Sequence, residues 1–172
     1  YNYTTLKAAI DSGAKDITVT GTVYVTESLT VPTGTTVKNE NGTIIVGSDD
    51  NTDVELIFAD GAVLKSGVVD VKGTLYFENN KNGNKASDIK SDVSVIGEKD
   101  ARYTNVYTAL AKANPGETVT VTGEEVLLKK NITIKEGVTL DVPNSKKLVV
   151  YAGVTITVNG EGEIHQDRRY RE

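Results

Sequence analysis

Residues 116–150 read GETVTVTGEEVLLKKNITIKEGVTLDVPNSKKLVV, a series of short runs in which every second residue is apolar. Val119 and Val121 alternate with threonines, Ile132 and Ile134 flank Thr133, and Leu140 and Val142 flank Asp141. Gly, Asn, Pro or Lys closes each run. Successive side chains of a strand point to opposite faces, so a period of two in pieces of about three to five residues predicts short, half-buried strands. The same phrase occurs earlier as DITVTGTVYVTESLTVPTGTTVKNENGTIIV, residues 16–46. A unit that recurs within one chain points to a solenoid or tandem array, because each copy buries its apolar face against its neighbour.

In the first copy the apolar pairs are Ile17 with Val19, Val23 with Val25, Leu29 with Val31, then Val37, then Ile44 with Val46. Their centres lie about six to eight residues apart, so three strands take roughly 20 to 24 residues, about one coil of a β-helix. Further strands are expected at Leu56 with Phe58, Val63 with Leu64, Val69 with Val71, Leu75 with Phe77 and Val93 with Val95. Residues 78–92, ENNKNGNKASDIKSD, have no periodicity and read as a long exposed loop or linker. Asn41-Gly42 suits a two-residue hairpin turn, so two small antiparallel β-domains are the alternative architecture.

Two stretches carry helical spacing instead. In YTTLKAAIDS, Tyr3, Leu6, Ala9 and Ile10 share one face, and Gly13 follows as a stop. In YTNVYTALAKA, residues 103–113, the equivalents are Tyr103, Val106, Ala109 and Leu110. Beyond these helices, residues 17–21 match 119–123, Leu29-Thr30-Val31 matches Ile132-Thr133-Ile134, Gly34 matches Gly137 and residues 44–46 match 148–150. The expected organisation is therefore two repeat units, residues 1–100 and 101–172, each opened by a short amphipathic helix.

Composition narrows the function. Val, Ile, Leu and Thr dominate, and β-branched residues suit a pleated surface. There are no cysteines, which excludes disulfides, thiolate metal sites and Cys nucleophiles. A net charge of −5 argues against nucleic acid, which needs a basic face. No apolar run approaches the roughly 20 residues of a membrane helix, so no membrane insertion is expected.

LTVPTGTTV and ITIKEGVTLDV, followed by KKLVVYAGVTITVNGEGEI, resemble the β-solenoid repeats of large microbial cell-surface proteins, the adhesin-like and S-layer-associated ones. The opening YTTLKAAI and YTNVYTAL resemble the short helices that begin their units. The resemblance covers nearly the whole chain except residues 78–99 and the tail. It implies an all-β, right-handed parallel β-helix like that of pectin lyases. It also implies a structural or adhesive component of an extracellular surface or filament, without catalysis.

Several constellations bear on chemistry. Asp49, Asn51 and Asp53 alternate, with Glu55 beyond them, and alternating oxygen ligands suit Ca²⁺. The EF-hand order requires Gly at its sixth position and a distant Glu, both missing here, so the plainer reading is an acidic solvated turn. Otherwise no cofactor is expected. Every arginine is Arg102 or in the tail (Arg168, Arg169, Arg171), and the one histidine, His165, is also near the C-terminus. A Ser-His-Asp arrangement has only His165 to draw on, and no carboxylate trio recurs at coil spacing.

Tyr3, Tyr24, Tyr76, Tyr103, Tyr107 and Tyr151 offer a sugar-stacking platform. Tyr24 and Tyr76 alternate with inward Val and Leu and should face solvent, making them the expected carbohydrate contacts. Outward threonines (Thr18 with Thr20; Thr118, Thr120 and Thr122; Thr155 with Thr157) read as β-propensity, although regular threonine ranks bind ice in some solenoids. Asn2, Asn41 and Asn131 head glycosylation sequons.

The partners expected from this reading are neighbouring surface-protein domains, polysaccharide, or other copies of the chain joined head to tail into a filament. A solenoid leaves unpaired backbone groups at each end, and the 3–12 helix could cover the first end. The tail offers only Ile164 as a buried anchor.

Overall fold

The computed structural model describes residues 3–80, 86 and 88–166. Helix α1 (Tyr3–Asp11) comes first. Three strand triplets follow: β1 (Asp16–Val19), β2 (Thr22–Val25) and β3 (Leu29–Val31); β4 (Thr36–Asn39), β5 (Thr43–Val46) and β6 (Glu55–Phe58); β7 (Val63–Lys65), β8 (Val68–Val71) and β9 (Thr74–Phe77). Then come β10 (Asp88–Lys90), β11 (Val93–Ile96), β12 (Asp100–Tyr103) and helix α2 (Val106–Lys112). Two further triplets are β13 (Thr118–Val121), β14 (Glu125–Leu128) and β15 (Ile132–Ile134), and β16 (Thr139–Val142), β17 (Lys147–Val150) and β18 (Ile156–Val158). Strand β19 (Glu163–Gln166) ends the described chain.

The chain forms two units. One holds the described residues of Tyr1–Ser91 together with Glu98–Thr104, the other those of Asp92–Gly97 together with Asn105–Glu172.

In the first unit every triplet is one coil, and each strand pairs in parallel with its counterpart in the next coil. β1 pairs with β4 and β4 with β7; β2, β5, β8 and β10 form a second face; β3, β6 and β9 form a third. This is a parallel β-solenoid. The hairpin alternative fails because β1 and β2, though adjacent in sequence, pair with β4 and β5 and not with each other.

The alternation sets the register. Ile17, Val37 and Leu64 stack in one column, Val23, Ile44 and Val69 in another, and Val31, Phe58 and Phe77 in a third. All are buried, and the Phe58 and Phe77 rings stack at 5.0 Å. A one-residue slip would turn every column outward, and each such side chain contributes about 1.5–3 kcal/mol by leaving water, so the register is strongly specified.

α1 ends at Asp11, and Gly13 turns the chain with a φ of +85°, readily adopted only without a Cβ. Leu6 is buried, and Tyr3, Ala9 and Ile10 pack against the core. Lys7 and Asp11, one turn apart, form an exposed ion pair at 2.5 Å. The hydrogen bond to Asp11, and then its charge, hold the Lys7 ammonium above its ordinary pKa.

The second unit repeats the plan. β13, β16 and β19 form one parallel face, β14 with β17 another, and β15 with β18 a third. Buried Val126, Leu128, Ile134, Val138 and Leu140 fill its interior. α2 is capped by Asn105, whose side chain accepts the Thr108 amide at 3.0 Å, and it buries Val106, Ala109 and Leu110.

Four expectations need correction. The second helix starts at Val106 and not at Tyr103, because Asn105 caps it; Tyr103 lies in β12 and is buried. Residues 78–92 are not all loop, since Asp88–Lys90 extends the β8 edge with Ile89 beside Val69. Residues 81–85 and 87 of that stretch lie outside the described residues.

Third, two strands are antiparallel: β12 on β9 within the first unit, and β11 on β13 within the second. In the first case the pairing brings charge inward. Asp100 lies opposite Phe77 and Arg102 opposite Leu75, so β12 sets an ion pair where the coils before it set hydrocarbon. Arg102 donates to the Asp100 carboxylate from Nε (2.6 Å) and Nη2 (3.1 Å), and Asp100 is 1% exposed. Fourth, Ile164 is not a buried anchor; it is 43% exposed.

Candidate functional site

Several polar side chains at the coil corners bond to the neighbouring coil. In the first unit the Glu55 amide donates to Ser28 Oγ at 3.0 Å, Thr33 Oγ1 donates to the Asp60 carbonyl at 2.6 Å, and Asn79 Nδ2 donates to Asp60 Oδ1 at 2.9 Å. In the second unit the Thr155 amide donates to Asn131 Oδ1 at 2.7 Å. There too, Lys146 reaches Glu124 at 3.2 Å and Lys147 reaches Glu125 at 3.5 Å.

The tightest of these corners surrounds Asn39, which is completely buried. Its Nδ2 donates to the Val68 carbonyl at 3.0 Å, while its backbone carbonyl accepts from Ser66 Oγ at 3.4 Å. A Cβ on Gly67 would come within 2.2 Å of the Asn39 carbonyl oxygen, and Gly67 has φ +78°. Only glycine satisfies both conditions. Asn39 Oδ1 and Thr35 Oγ1 are buried without a hydrogen-bond partner, a cost that the packed corner carries.

Asp49, Asn51 and Asp53 lie in the segment between β5 and β6, where Ser48 and Asn51 bridge each other through both backbone bonds (3.1 and 3.0 Å). All three side chains are exposed. Asp49 faces Lys72 at 3.6 Å, a cation already beside the carboxylate. Among the described residues no group of three or more His, Cys, Asp or Glu side chains is placed to hold a metal ion.

Tyr24 and Tyr76 lie on different faces of the first unit's coil, on β2 and β9, so they do not form one platform. Tyr24 is 54% exposed, but Tyr76 is only half-buried rather than fully exposed. The threonine ranks are interrupted too. Thr18 stands beside Lys38, and Thr120 beside Asp141, which is beside His165.

A mixed aromatic and cationic edge in the second unit was not singled out by alternation. Tyr107, on α2, accepts the Lys129 and Lys130 amides at its hydroxyl (2.8 and 3.2 Å). Lys130 Nζ lies 4.6 Å from the Tyr107 ring centre, and Lys129 Nζ lies 5.6 Å from that of Tyr151 in the next coil. A groove beside them is lined by Tyr107, Leu110, Ala111, Asn131, Thr133 and Lys135. Lys135 Nζ donates to the Ala111 carbonyl at the helix end, at 2.7 Å. The signal was the KKN corner at residues 129–131, which is readable as a turn but not as the neighbour of a helix some 20 residues earlier.

His165 Nδ1 lies 2.6 Å from Asp141 Oδ1, side by side on β19 and β16. Arg102 is committed to Asp100, whereas Arg168, Arg169 and Arg171 lie outside the described residues, as does Asn2. Of the other sequon asparagines, Asn41 takes a left-handed turn conformation and Asn131 joins two coils. Among the described residues no helix is long and apolar enough to cross a membrane. Compared with known proteins, the chain matches no family model, no curated protein and no solved structure.

Proposed function

We propose that this chain is a non-catalytic structural or adhesive segment of a microbial cell surface, working outside the cell alongside neighbouring surface domains or other copies of itself. The observation that carries the reading is the use of polar side chains: Ser28, Thr33, Asn39, Asn79, Asn131, Glu124 and Glu125 all bond to the adjacent coil. Bonds between coils resist separation and shear, which suits a segment under mechanical load. The resemblance of LTVPTGTTV and ITIKEGVTLDV to adhesin-like and S-layer-associated repeats supports the same role.

The competing class is a polysaccharide lyase or hydrolase. The test is a panel of polyuronates, including pectate and alginate, followed for unsaturated or reducing ends. The expected result is no turnover, and reproducible release of either product would overturn the proposal.

A second reading, carbohydrate binding without catalysis, is favoured by the Tyr107, Lys130 and Tyr151 edge more than by Tyr24 and Tyr76. Cations beside aromatic faces suit an acidic sugar. Glycan-array binding that is lost in Tyr151→Ala but kept in Tyr24→Ala would establish it.

A further inference from the structure

We infer that Asn159 is a self-modification site. The Gly160 nitrogen attacks the Asn159 side-chain amide, and the residue ends as a mixture of aspartate and isoaspartate, whereas the fold protects the same dipeptide at Asn41-Gly42.

The chain carries Asn-Gly three times, at 41–42, 82–83 and 159–160. The second lies outside the described residues. In this dipeptide the glycine nitrogen can reach the side-chain carbonyl carbon, because no Cβ obstructs the approach. The reaction also needs a glycine N–H that is free to give up its proton and a backbone that is free to swing. The two described copies meet these needs differently.

Both lie in four-residue turns, but at different positions. Asn41 and Gly42 are the third and fourth residues of a turn that starts at Asn39. The Gly42 amide therefore closes the turn, donating to the Asn39 carbonyl at 3.4 Å. The Gly42 carbonyl accepts the Val68 amide of the next coil at 3.1 Å. Gly42 is buried, and a Cβ there would lie 2.6 Å from Asn39 Oδ1 and 2.9 Å from the Gly21 carbonyl oxygen, so the residue has little room to shift.

Asn159 and Gly160 are instead the first and second residues of their turn, which the Gly162 amide closes onto the Asn159 carbonyl at 2.8 Å. A turn of this kind makes no use of its second amide. Among the described residues the Gly160 amide and the Asn159 side chain make no hydrogen bond, and both residues are exposed. The nearest atoms to a Cβ on Gly160 belong to the exposed Glu136 side chain and not to backbone. This freedom comes from position in the turn and not from the place of the coil in the stack. Glu136, beside Gly160 in the preceding coil, is the second residue of an equivalent turn (Val138 amide to Lys135 carbonyl, 3.1 Å), and among the described residues its amide is unbonded too.

The chemistry needs only water. A bond forms between Gly160 N and Asn159 Cγ, the Cγ–Nδ2 bond breaks, and the Gly160 amide proton leaves with the Nδ2 group as ammonia. Water then opens the cyclic imide. Entry at Cγ leaves aspartate; entry at the main-chain carbonyl leaves isoaspartate, whose backbone runs through the former side chain. Either product adds a negative charge to a turn that already holds Glu161, and isoaspartate also lengthens the main chain between β18 and β19.

The test holds folded and urea-unfolded chain at mildly alkaline pH and follows both by peptide mass spectrometry. Mapping separates the three dipeptides and reads each conversion as a gain of one mass unit. In the folded chain Asn159 should convert at least about tenfold faster than Asn41, a barrier difference of about 1.4 kcal/mol. In urea the two should convert at similar rates, and the isoaspartate formed at position 159 should accept a methyl group from an isoaspartyl methyltransferase. Loss of both amides at one rate in the folded chain overturns the proposal, as does an Asn159 that stays intact there. The same preference persisting in urea would place it in the sequence and overturn the protection assigned to the Asn39 turn.

Discussion

Leu140 and Ile164 are neighbours in one column, one coil apart, and their fates differ: the first is completely buried and the second is 43% exposed. Val126, Leu128 and Ile134 repeat the contrast with Leu148, Val150 and Val158. Nothing local separates the two coils, since both alternate apolar and polar residues and both form strands. The difference lies in whether another coil covers them. In a solenoid, alternation sets direction, and the neighbour sets burial.

The largest test of that contrast removes volume from a covered column. Phe58→Ala, in the stacked pair with Phe77, should destabilise the first unit by about 3–5 kcal/mol, measured by chemical denaturation. A loss as small as that of a surface residue would mean the columns are not tightly packed. The ion pair on β12 should be nearly as sensitive. Arg102→Met removes the guanidinium from beside buried Asp100 and should cost about 3–5 kcal/mol, whereas Arg102→Met with Asp100→Leu should recover most of it.

Corner geometry comes next. Gly67→Ala combines a left-handed backbone with a clash against Asn39 and should cost more than about 2 kcal/mol; Gly21→Ala, with similar φ but open space around it, should cost about 1–2 kcal/mol. Equal losses would show that backbone strain alone governs these corners. In the last coil, Val158→Ala should cost less than about 1 kcal/mol. Smallest of all, Ca²⁺ should leave the melting temperature unchanged. A rise that disappears in Asp49→Asn with Asp53→Asn would instead make the acidic segment a cation site.

The strands, the coil and the repeat were legible because Val, Ile and Leu recur at every second position between turn residues. The antiparallel strands were not. Val93-Ser94-Val95 alternates like its parallel counterparts, and strand direction leaves no mark on alternation. Asp100 and Arg102 did carry a sign, charges at inward positions, but only once the pairing with Phe77 and Leu75 was known. The same limit applied to the candidate site. Tyr24 could be read as outward from its neighbours, whereas Tyr107 meets Lys129 and Lys130 through a tertiary contact that no local pattern encodes.

The columns stay in register although the chain between them varies in length. On one face Leu29 aligns with Leu56, 27 residues later, while Leu56 aligns with Leu75, only 19 later. Most of the extra length sits between Val46 and Glu55, outside the strands. Closing a longer loop costs only about 0.6 kcal/mol per doubling, so that corner can accept foreign sequence while the core stays unaware of it. A peptide spliced in beside Asp50 would be displayed on a rigid support, and the same freedom lets such a chain vary that corner without rebuilding its frame.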